Sequence, residues 1–403
     1  FFWFAVSGFW FVVMVETGLE VLLEDPKPIL GKRIGLVTNQ SAVTSDLRHA
    51  VPLLHAGRGW TLKILFGPEH GIWGEAQDMA HVEHTADPLT GLPVYSLYTG
   101  SGQLTPPSDA LKELDALVID LQDIGSRYYT FIYTMALCMR AAAPLGVQVI
   151  VLDRPNPIDG IHFEGNIREE KYSSFVGMFP LPTRHGMTAG ELARYFNARF
   201  NLGADLLVVP MRGWSRSMWW GDTELPWVIP SPNMPTVYTA AVYPGMCLIE
   251  GTNLSEGRGT THPFEIWGAP WYDPFELATA LNRLELPGAR FRPHYFLPTF
   301  QKHAGKVCGG VELHVTDRRI FEPYRTGLHC VKTAHDLAPE QFDWRREPYE
   351  FVSDRLAIDL LAGSHRFRHI VERGEDVDDW VAEWEEELRG FARSRGDYLM
   401  YRD

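Results

Sequence analysis

An acid and a histidine, Glu69 and His70, stand side by side in the stretch GPEHG, directly after the apolar run LKILF. A carboxyl group flanked by Pro68, Ile72 and Trp73 is expected to lose water on folding, which favours its neutral form. A neutral carboxyl group in a cleft can protonate the oxygen of a leaving group. This stretch therefore predicts a general acid at Glu69.

Polar residues also follow other apolar runs of the N-terminal half. They are Asn39 and Gln40, then Asp123, Arg127 and Tyr129, and finally Asn156. If the runs are parallel strands, these residues meet at one edge of the sheet, where open α/β sheets bind ligands. Each alone is as well explained by a helix cap or a loop contact, and Asp120, Asp153 and Arg154 are expected to be structural.

Other chemistries find less support in the sequence. His70, His81 and His84 are close enough in the chain to suggest a metal-dependent hydrolase, but they lack the helical spacing of a zinc protease. The first apolar run is followed by no dinucleotide-binding fingerprint, and the chain has no P-loop and no G-x-S-x-G elbow. Neither a metal nor a nucleotide cofactor is therefore expected.

The elements that position these residues are apolar runs alternating with helical patterns. The runs cover residues 33–40, 62–70, 116–123, 147–156 and 206–211. They are rich in Leu and β-branched residues, as parallel strands buried on both faces are. Residues 129–142 and 188–200 have helical periodicity, and Thr188 with Glu191 forms a capping box. The pattern predicts an α/β fold, a Rossmann-like, mostly parallel sheet flanked by helices.

The chain changes character after this region. Residues 210–274 are rich in Pro, Gly and Trp, which argues against regular helix or a central strand and predicts long functional loops. The strand-like run 309–317 and the amphipathic pattern 376–391 indicate a smaller α+β domain. We expect a catalytic domain at 14–285 and a second domain at 286–403 that closes the cleft.

Composition narrows the class of protein further. The 403 residues are 45% apolar and carry a net charge of −14, which disfavours a broad nucleic-acid-binding surface. Residues 1–13 are too short to span a bilayer. We interpret them as sequence upstream of Met14 or, as the alternative, the remnant of an export signal. A cytoplasmic protein is expected in the first case and an exported one in the second.

Taken together, the motifs resemble the exo-acting β-N-acetylmuramidases of the NamZ type. The matching stretches include GLVTNQ, GPEHG, DLQDIGSRYYTF, VLDRPNP, RHGMTAGELA, LPWVIPSPNMPT and YPGMCLIEGTNLSEGRGTTHPFEIWGAPW. The resemblance implies a glycoside hydrolase that releases N-acetylmuramic acid from the non-reducing end of peptidoglycan fragments. It also implies a Rossmann-like domain joined to a smaller one, no nucleotide cofactor, and a catalytic acid at Glu69. A non-catalytic muropeptide-binding protein of the same shape remains an alternative.

The resemblance suggests roles for the remaining candidates. Asp123 is the expected second catalytic carboxylate beside Glu69. If the acetamido group of the substrate is instead the nucleophile, Asp123 or Tyr129 is expected to orient that group. An arginine should bind the lactyl carboxylate of muramic acid. The other substrate contacts are expected among the polar residues of the motifs. The full set is Arg127, Arg184 and Arg258 for the carboxylate, and Asn39, Gln40, His70, Asn156, His185, Asn233 and Glu256 for the sugar.

Overall fold

A computed structural model gives the fold of the chain. It describes residues 3–6 and 9–12 as backbone, and residues 14–77, 80, 84–99, 102 and 104–403 in full. Within these residues no helix is both long and apolar enough to cross a membrane.

The strands build two main sheets and one short hairpin. They are β1 Trp3–Val6, β2 Phe9–Val12, β3 Arg33–Thr38, β4 Thr61–Gly67, β5 Thr85–Ala86, β6 Pro93–Ser96, β7 Ala116–Asp120, β8 Gln148–Leu152, β9 Leu206–Val209, β10 Ile266–Ala269, β11 Ala289–Phe296 and β12 Cys308–Val315. β1 pairs with β2. The large sheet has the order β5-β6-β4-β3-β7-β8-β9, and every pair is parallel except β5 with β6.

The central strands match the predicted ones because most of their residues are buried, on both faces of the sheet. β3, β4, β7, β8 and β9 correspond to the five apolar runs, and every residue of β7 is buried. Their carboxyl ends lie at one edge of the sheet, as the parallel pairing requires. The prediction of a mostly parallel α/β sheet is confirmed.

Helices cover the large sheet and form much of the C-terminal part. They are α1 Gly18–Glu24, α2 Ala50–His55, α3 Ser108–Lys112, α4 Phe131–Ala142, α5 Ala189–Arg199, α6 Val237–Met246, α7 Pro274–Asn282, α8 Pro323–Leu337, α9 Ala357–Ala362, α10 Arg366–Arg373 and α11 Val377–Gly396. The predicted helices α4, α5 and α11 are present. The predicted capping box of α5 is also present, with Thr188 accepting from the Glu191 amide.

The second sheet is smaller and antiparallel, in the order β10-β12-β11. Residues 210–274, expected to be loops, supply its edge strand β10 and the helix α6. The expectation of no regular helix there is wrong. Pro244 lies near the C-terminal end of α6, so it removes one hydrogen bond, to the Ala240 carbonyl, and the helix ends two residues later. Gly245 and Gly327 also let α6 and α8 approach closely: a methyl group on Gly245 would lie 1.9 Å from the Pro323 carbonyl oxygen.

Buried polar contacts tie the ends of β7 and β8 together and join the end of the chain to the large sheet. Asp120 and Arg154 form a buried ion pair of 2.5 Å. Asp153 accepts hydrogen bonds from the Thr188 and Tyr401 hydroxyls, at 2.7 and 2.6 Å. The structural roles expected for Asp120, Asp153 and Arg154 agree with these contacts, and the C-terminal segment is thereby tied to the end of β8.

Candidate functional site

Glu69 lies in a tight turn at the carboxyl end of β4. The Gly71 amide donates to the Pro68 carbonyl at 3.0 Å, and His70 has a φ of +73°. A positive φ at the third residue is the requirement of a type II turn, which glycine usually meets. The turn reverses the chain immediately after the strand and places Glu69 at the sheet edge.

The Glu69 carboxyl group lines a cleft at this edge. Its side chain is almost buried, with 5% of the residue exposed, and its Oε2 accepts a hydrogen bond of 2.7 Å from the Thr130 hydroxyl. Thr130 is the residue before α4. The acid and its donor are therefore positioned by two neighbouring elements of the large sheet domain.

The cleft is formed by residues from both halves of the chain. The lining residues are Glu69, His70, Tyr128, Tyr129, Thr130, Val176, Ser231, Asn233, Met234, Tyr243, Glu250, Arg258, Phe264, Tyr349 and Glu350. Of the residues predicted from the sequence, the structure brings together Glu69, His70, Tyr129, Asn233 and Arg258 at this cleft. Its polar wall and tyrosine rings suit a sugar, which presents hydroxyl groups and apolar ring faces.

His70 and Asn233 are held by the loop that follows the turn. The His70 Nδ1 atom lies 2.9 Å from the Ala76 carbonyl oxygen, so Nδ1 carries the proton when the ring is neutral. The Asn233 amide donates to the Gln77 side chain at 3.0 Å. Both side chains keep their positions through contacts within the protein.

Arg258 belongs to a buried charge network on the C-terminal side of the cleft. Its Nη1 atom lies 2.9 Å from Glu250 and 3.1 Å from Glu256, and Lys302 lies 3.0 Å from Glu256. Burial acts to raise the pKa of Glu256, but the charges of Lys302 and Arg258 outweigh it and hold that pKa well below its usual value. Glu256 does not line the cleft, and its charge holds Arg258 and Lys302 in place.

Tyr129 and Asp123 differ in their access to the cleft. Burial raises the pKa of Tyr129 well above its usual value, so the hydroxyl keeps its proton. Asp123 does not line the cleft. Its Oδ2 accepts from the Gly125 amide at 2.7 Å and lies 3.2 Å from the His185 Nε2 atom. His185 is likewise fully buried.

The two other arginines proposed for the lactyl carboxylate do not line the cleft. Arg127 is fully buried and donates to the carbonyl groups of Asn166, Leu181 and Leu361. Arg184 donates to the Ile158 carbonyl and to Asp159, the latter at 2.9 Å. Both guanidinium groups therefore join separate segments of the chain.

Three amide side chains at the sheet edge bind main-chain groups instead of facing the cleft. Asn39 donates to the Pro230 carbonyl at 2.9 Å, and Gln40 to the Ile229 carbonyl at 2.8 Å. Asn156 donates to the Met187 carbonyl at 3.0 Å. Asn39 and Gln40 thus hold the segment before Asn233 against the end of β3.

The histidines of the metal alternative are not a ligand set in the described part of the chain. The His84 Nδ1 atom accepts from the Ser96 amide at 3.1 Å, and His81 lies outside the described residues. Among the residues that the structure describes, no group of three or more His, Cys, Asp or Glu residues is placed to hold a metal ion.

Sequence reasoning missed several residues of the cleft. Thr130 directly follows the predicted Tyr129, and Tyr243 and Glu250 lie within a motif already noted, so their neighbours in the chain were a signal. Tyr349 and Glu350 had no such signal, because the segment EPYEF has no recognisable periodicity or motif.

Comparisons with known proteins identify the family. The N-terminal model of the exo-β-N-acetylmuramidase NamZ family matches residues 34–238, and the C-terminal model matches residues 241–401. The chain is 50% identical to the peptidoglycan β-N-acetylmuramidase NamZ of Bacillus subtilis (strain 168) over 388 residues, 96% of this chain and 91% of that protein.

Solved structures show the same fold. One crystal structure of a DUF1343 family protein from Bacteroides fragilis NCTC 9343 has a TM-score of 0.86 and 35% identity, over 97% of this chain and 100% of that one. A second from the same organism has a TM-score of 0.75 and 28% identity, over 96% and 99%. The chain is a glycosidase and belongs to the exo-β-N-acetylmuramidase NamZ family.

Proposed function

We propose that Glu69 is the general acid with which this enzyme releases N-acetylmuramic acid from the non-reducing end of peptidoglycan fragments. The observation that carries the proposal is the Glu69 carboxyl group in the wall of the cleft, held by the Thr130 hydroxyl at 2.7 Å. Cleavage of a glycosidic bond requires a proton on the departing oxygen. An acid aimed into a polar cleft supplies that proton.

Arg258 is the candidate for recognition of the muramic acid. The lactyl group distinguishes muramic acid from glucosamine by a carboxylate, and a guanidinium group binds carboxylates in two-pronged geometry. Of the three arginines considered from the sequence, Arg258 lines the cleft. His70 and Asn233 are suited to the sugar hydroxyls, because their side chains reach the same cleft.

The test of Glu69 is the variant Glu69→Gln, in which the amide keeps the shape but has no acid proton to transfer. We expect turnover of a muramyl disaccharide to fall about 10²–10⁴-fold with an unchanged melting temperature. Glu75→Gln is the matched control, because Glu75 is exposed in the same loop and does not line the cleft. Near-normal turnover by Glu69→Gln on an aryl muramide with a poor leaving group would end the proposal.

The test of Arg258 compares two substrates. Arg258→Lys keeps a charge but loses the two-pronged geometry, so kcat/KM for an aryl N-acetylmuramide should fall by about 10-fold or more. The matching N-acetylglucosaminide has no lactyl carboxylate and should lose far less. Equal losses on both substrates would contradict the assignment.

Binding without turnover is separated from hydrolysis by two measurements on one sample. Calorimetry with a muramyl disaccharide reports binding, and a sugar-release assay reports turnover. We expect both signals from the wild-type enzyme. Heat of binding without released sugar would favour the non-catalytic alternative.

A further inference from the structure

A strained two-residue turn brings Glu350 into the cleft. Tyr349 and Val352 exchange main-chain hydrogen bonds of 2.9 Å in both directions, which leaves Glu350 and Phe351 as the loop of a tight hairpin. Their φ angles are +46° and +66°. Such loops favour Asn-Gly, since both positions need positive φ. Each non-glycine residue in this conformation is strained.

Contacts on both sides hold the turn in this conformation. The Tyr98 hydroxyl donates to the Glu350 carboxyl group at 3.1 Å, and Tyr98 is itself buried. The Phe351 ring packs 5.3 Å from the Tyr98 ring. The Tyr349 hydroxyl donates to Glu250 at 2.7 Å. The surrounding structure therefore imposes the strain, and the result is a carboxyl group at the cleft, where Glu350 is only 6% exposed.

We propose that Glu350 is the second catalytic carboxylate, the partner of Glu69. The inference rests on the proposed function of this cleft. Glu69 comes from the large sheet domain and Glu350 from the C-terminal half, so the two acids reach the cleft from different parts of the chain. Both residues line the same cleft, as a pair of catalytic carboxyl groups must. Paired carboxyl groups of glycosidases lie roughly 5–9.5 Å apart.

The other acids considered for this role have different surroundings. Asp123, the partner expected from the sequence, does not line the cleft and contacts the Gly125 amide and His185. Glu250 lines the cleft but is ion-paired to Arg258 at 2.9 Å and hydrogen-bonded by Tyr349. Those contacts fit a residue that positions Arg258 and Tyr349.

The proposed step consumes one water molecule. Glu69 gives its proton to the bridging oxygen, and the electron pair of the bond from C1 to that oxygen leaves with the oxygen. The water oxygen bonds to C1 while Glu350 accepts one of the water protons. The products are free N-acetylmuramic acid and the shortened fragment, and the proton on Glu350 returns to Glu69 through solvent.

The test compares Glu350→Gly with Glu69→Gln on two muramides. Glycine adopts positive φ without strain, so Glu350→Gly removes the carboxylate and leaves the turn intact. On 4-nitrophenyl N-acetylmuramide, whose leaving group needs little protonation, Glu69→Gln should keep much more activity than on the disaccharide. Glu350→Gly should lose about 10²–10⁴-fold in kcat on both substrates. Added azide should restore turnover of Glu350→Gly and form a muramyl azide.

Two further measurements separate chemistry from folding. Glu347→Gln removes an exposed carboxylate from the same segment, outside the cleft, so its kcat should stay close to wild type. Glu350→Gly should melt close to the wild-type temperature, since the relief of backbone strain offsets the loss of the hydrogen bond from Tyr98. Proton NMR of the first sugar released by the wild type should show the α anomer, because water activated by Glu350 attacks the face opposite the β bond.

Several results would overturn the inference. They are a kcat of Glu350→Gly within tenfold of wild type, a loss confined to KM, the absence of azide rescue, or release of the β anomer. A wild-type enzyme that releases no N-acetylmuramic acid would instead refute the function itself. If the wild type and Glu69→Gln behave as proposed but Glu350→Gly stays active, the proposed function stands and only the role of Glu350 is refuted.

Discussion

Thr130 shows how a single side chain can hold the acid of the cleft. Its hydroxyl donates to Glu69 at 2.7 Å, and the residue stands immediately before α4, whose buried face fixes its position. The acid itself is on the turn after β4. A hydrogen bond between the two elements therefore sets the direction of the carboxyl group.

Replacing Thr130 tests that role. Thr130→Val keeps the shape but removes the donor, so we expect kcat on the muramyl disaccharide to fall about tenfold, which corresponds to about 1.4 kcal/mol of barrier. Thr130→Ser retains the hydroxyl and should recover most of the loss. Equal kcat in the two variants would show that the hydrogen bond has no part in catalysis.

At the scale of elements, the crossing of α6 and α8 anchors the C-terminal wall of the cleft. Tyr243 of α6 lines the cleft, and its position depends on how closely α6 packs on α8. Gly327 in α8 faces the main chain of Gly245, and a methyl group there would lie 2.3 Å from the Gly245 carbonyl oxygen. The two glycines therefore set the separation of the helices.

Gly327→Ala should force the helices apart. Overpacking of this kind costs about 1–3 kcal/mol, so the free energy of unfolding should fall by that amount. Gly390→Ala is the control, because the nearest atom, of Arg393, is 4.0 Å from the added methyl group. That variant should gain about 0.5–1 kcal/mol from helix propensity. Chemical denaturation measures the free energy of unfolding of both variants. An equal change in the two would contradict the close crossing of α6 and α8.

At the scale of the whole molecule, the C-terminal segment closes back on the large sheet. The Tyr401 hydroxyl donates to Asp153 at the end of β8, and the Met400 amide donates to Glu191 of α5. Burial raises the pKa of Asp153 to about 7, because hydrogen bonds from Tyr401, Gly190 and Thr188 offset only part of the desolvation. The folded protein therefore holds a proton that the unfolded chain releases at lower pH.

This linkage predicts a pH dependence of stability. The unfolded Asp153 carboxyl group loses its proton near pH 4 and the folded one near pH 7. The contribution is therefore complete below pH 4 and is lost as the pH rises to about 7. Between pH 5 and pH 8 the wild type should lose on the order of 1–3 kcal/mol more unfolding free energy than Asp153→Asn. An equal change in unfolding free energy between pH 5 and pH 8 for the two proteins would exclude the effect.

The sequence by itself determined what local patterns encode. The five parallel strands, the capping box of α5 and the place of Glu69 after β4 follow from periodicity, caps and a turn within a few residues of each other. The contacts of Arg127 and the arrival of Glu350 at the cleft were decided only by the tertiary structure. Both depend on contacts between chain segments more than 200 residues apart, which a local sequence pattern does not predict. These contacts are Arg127 with Leu361 and Glu350 with Tyr98.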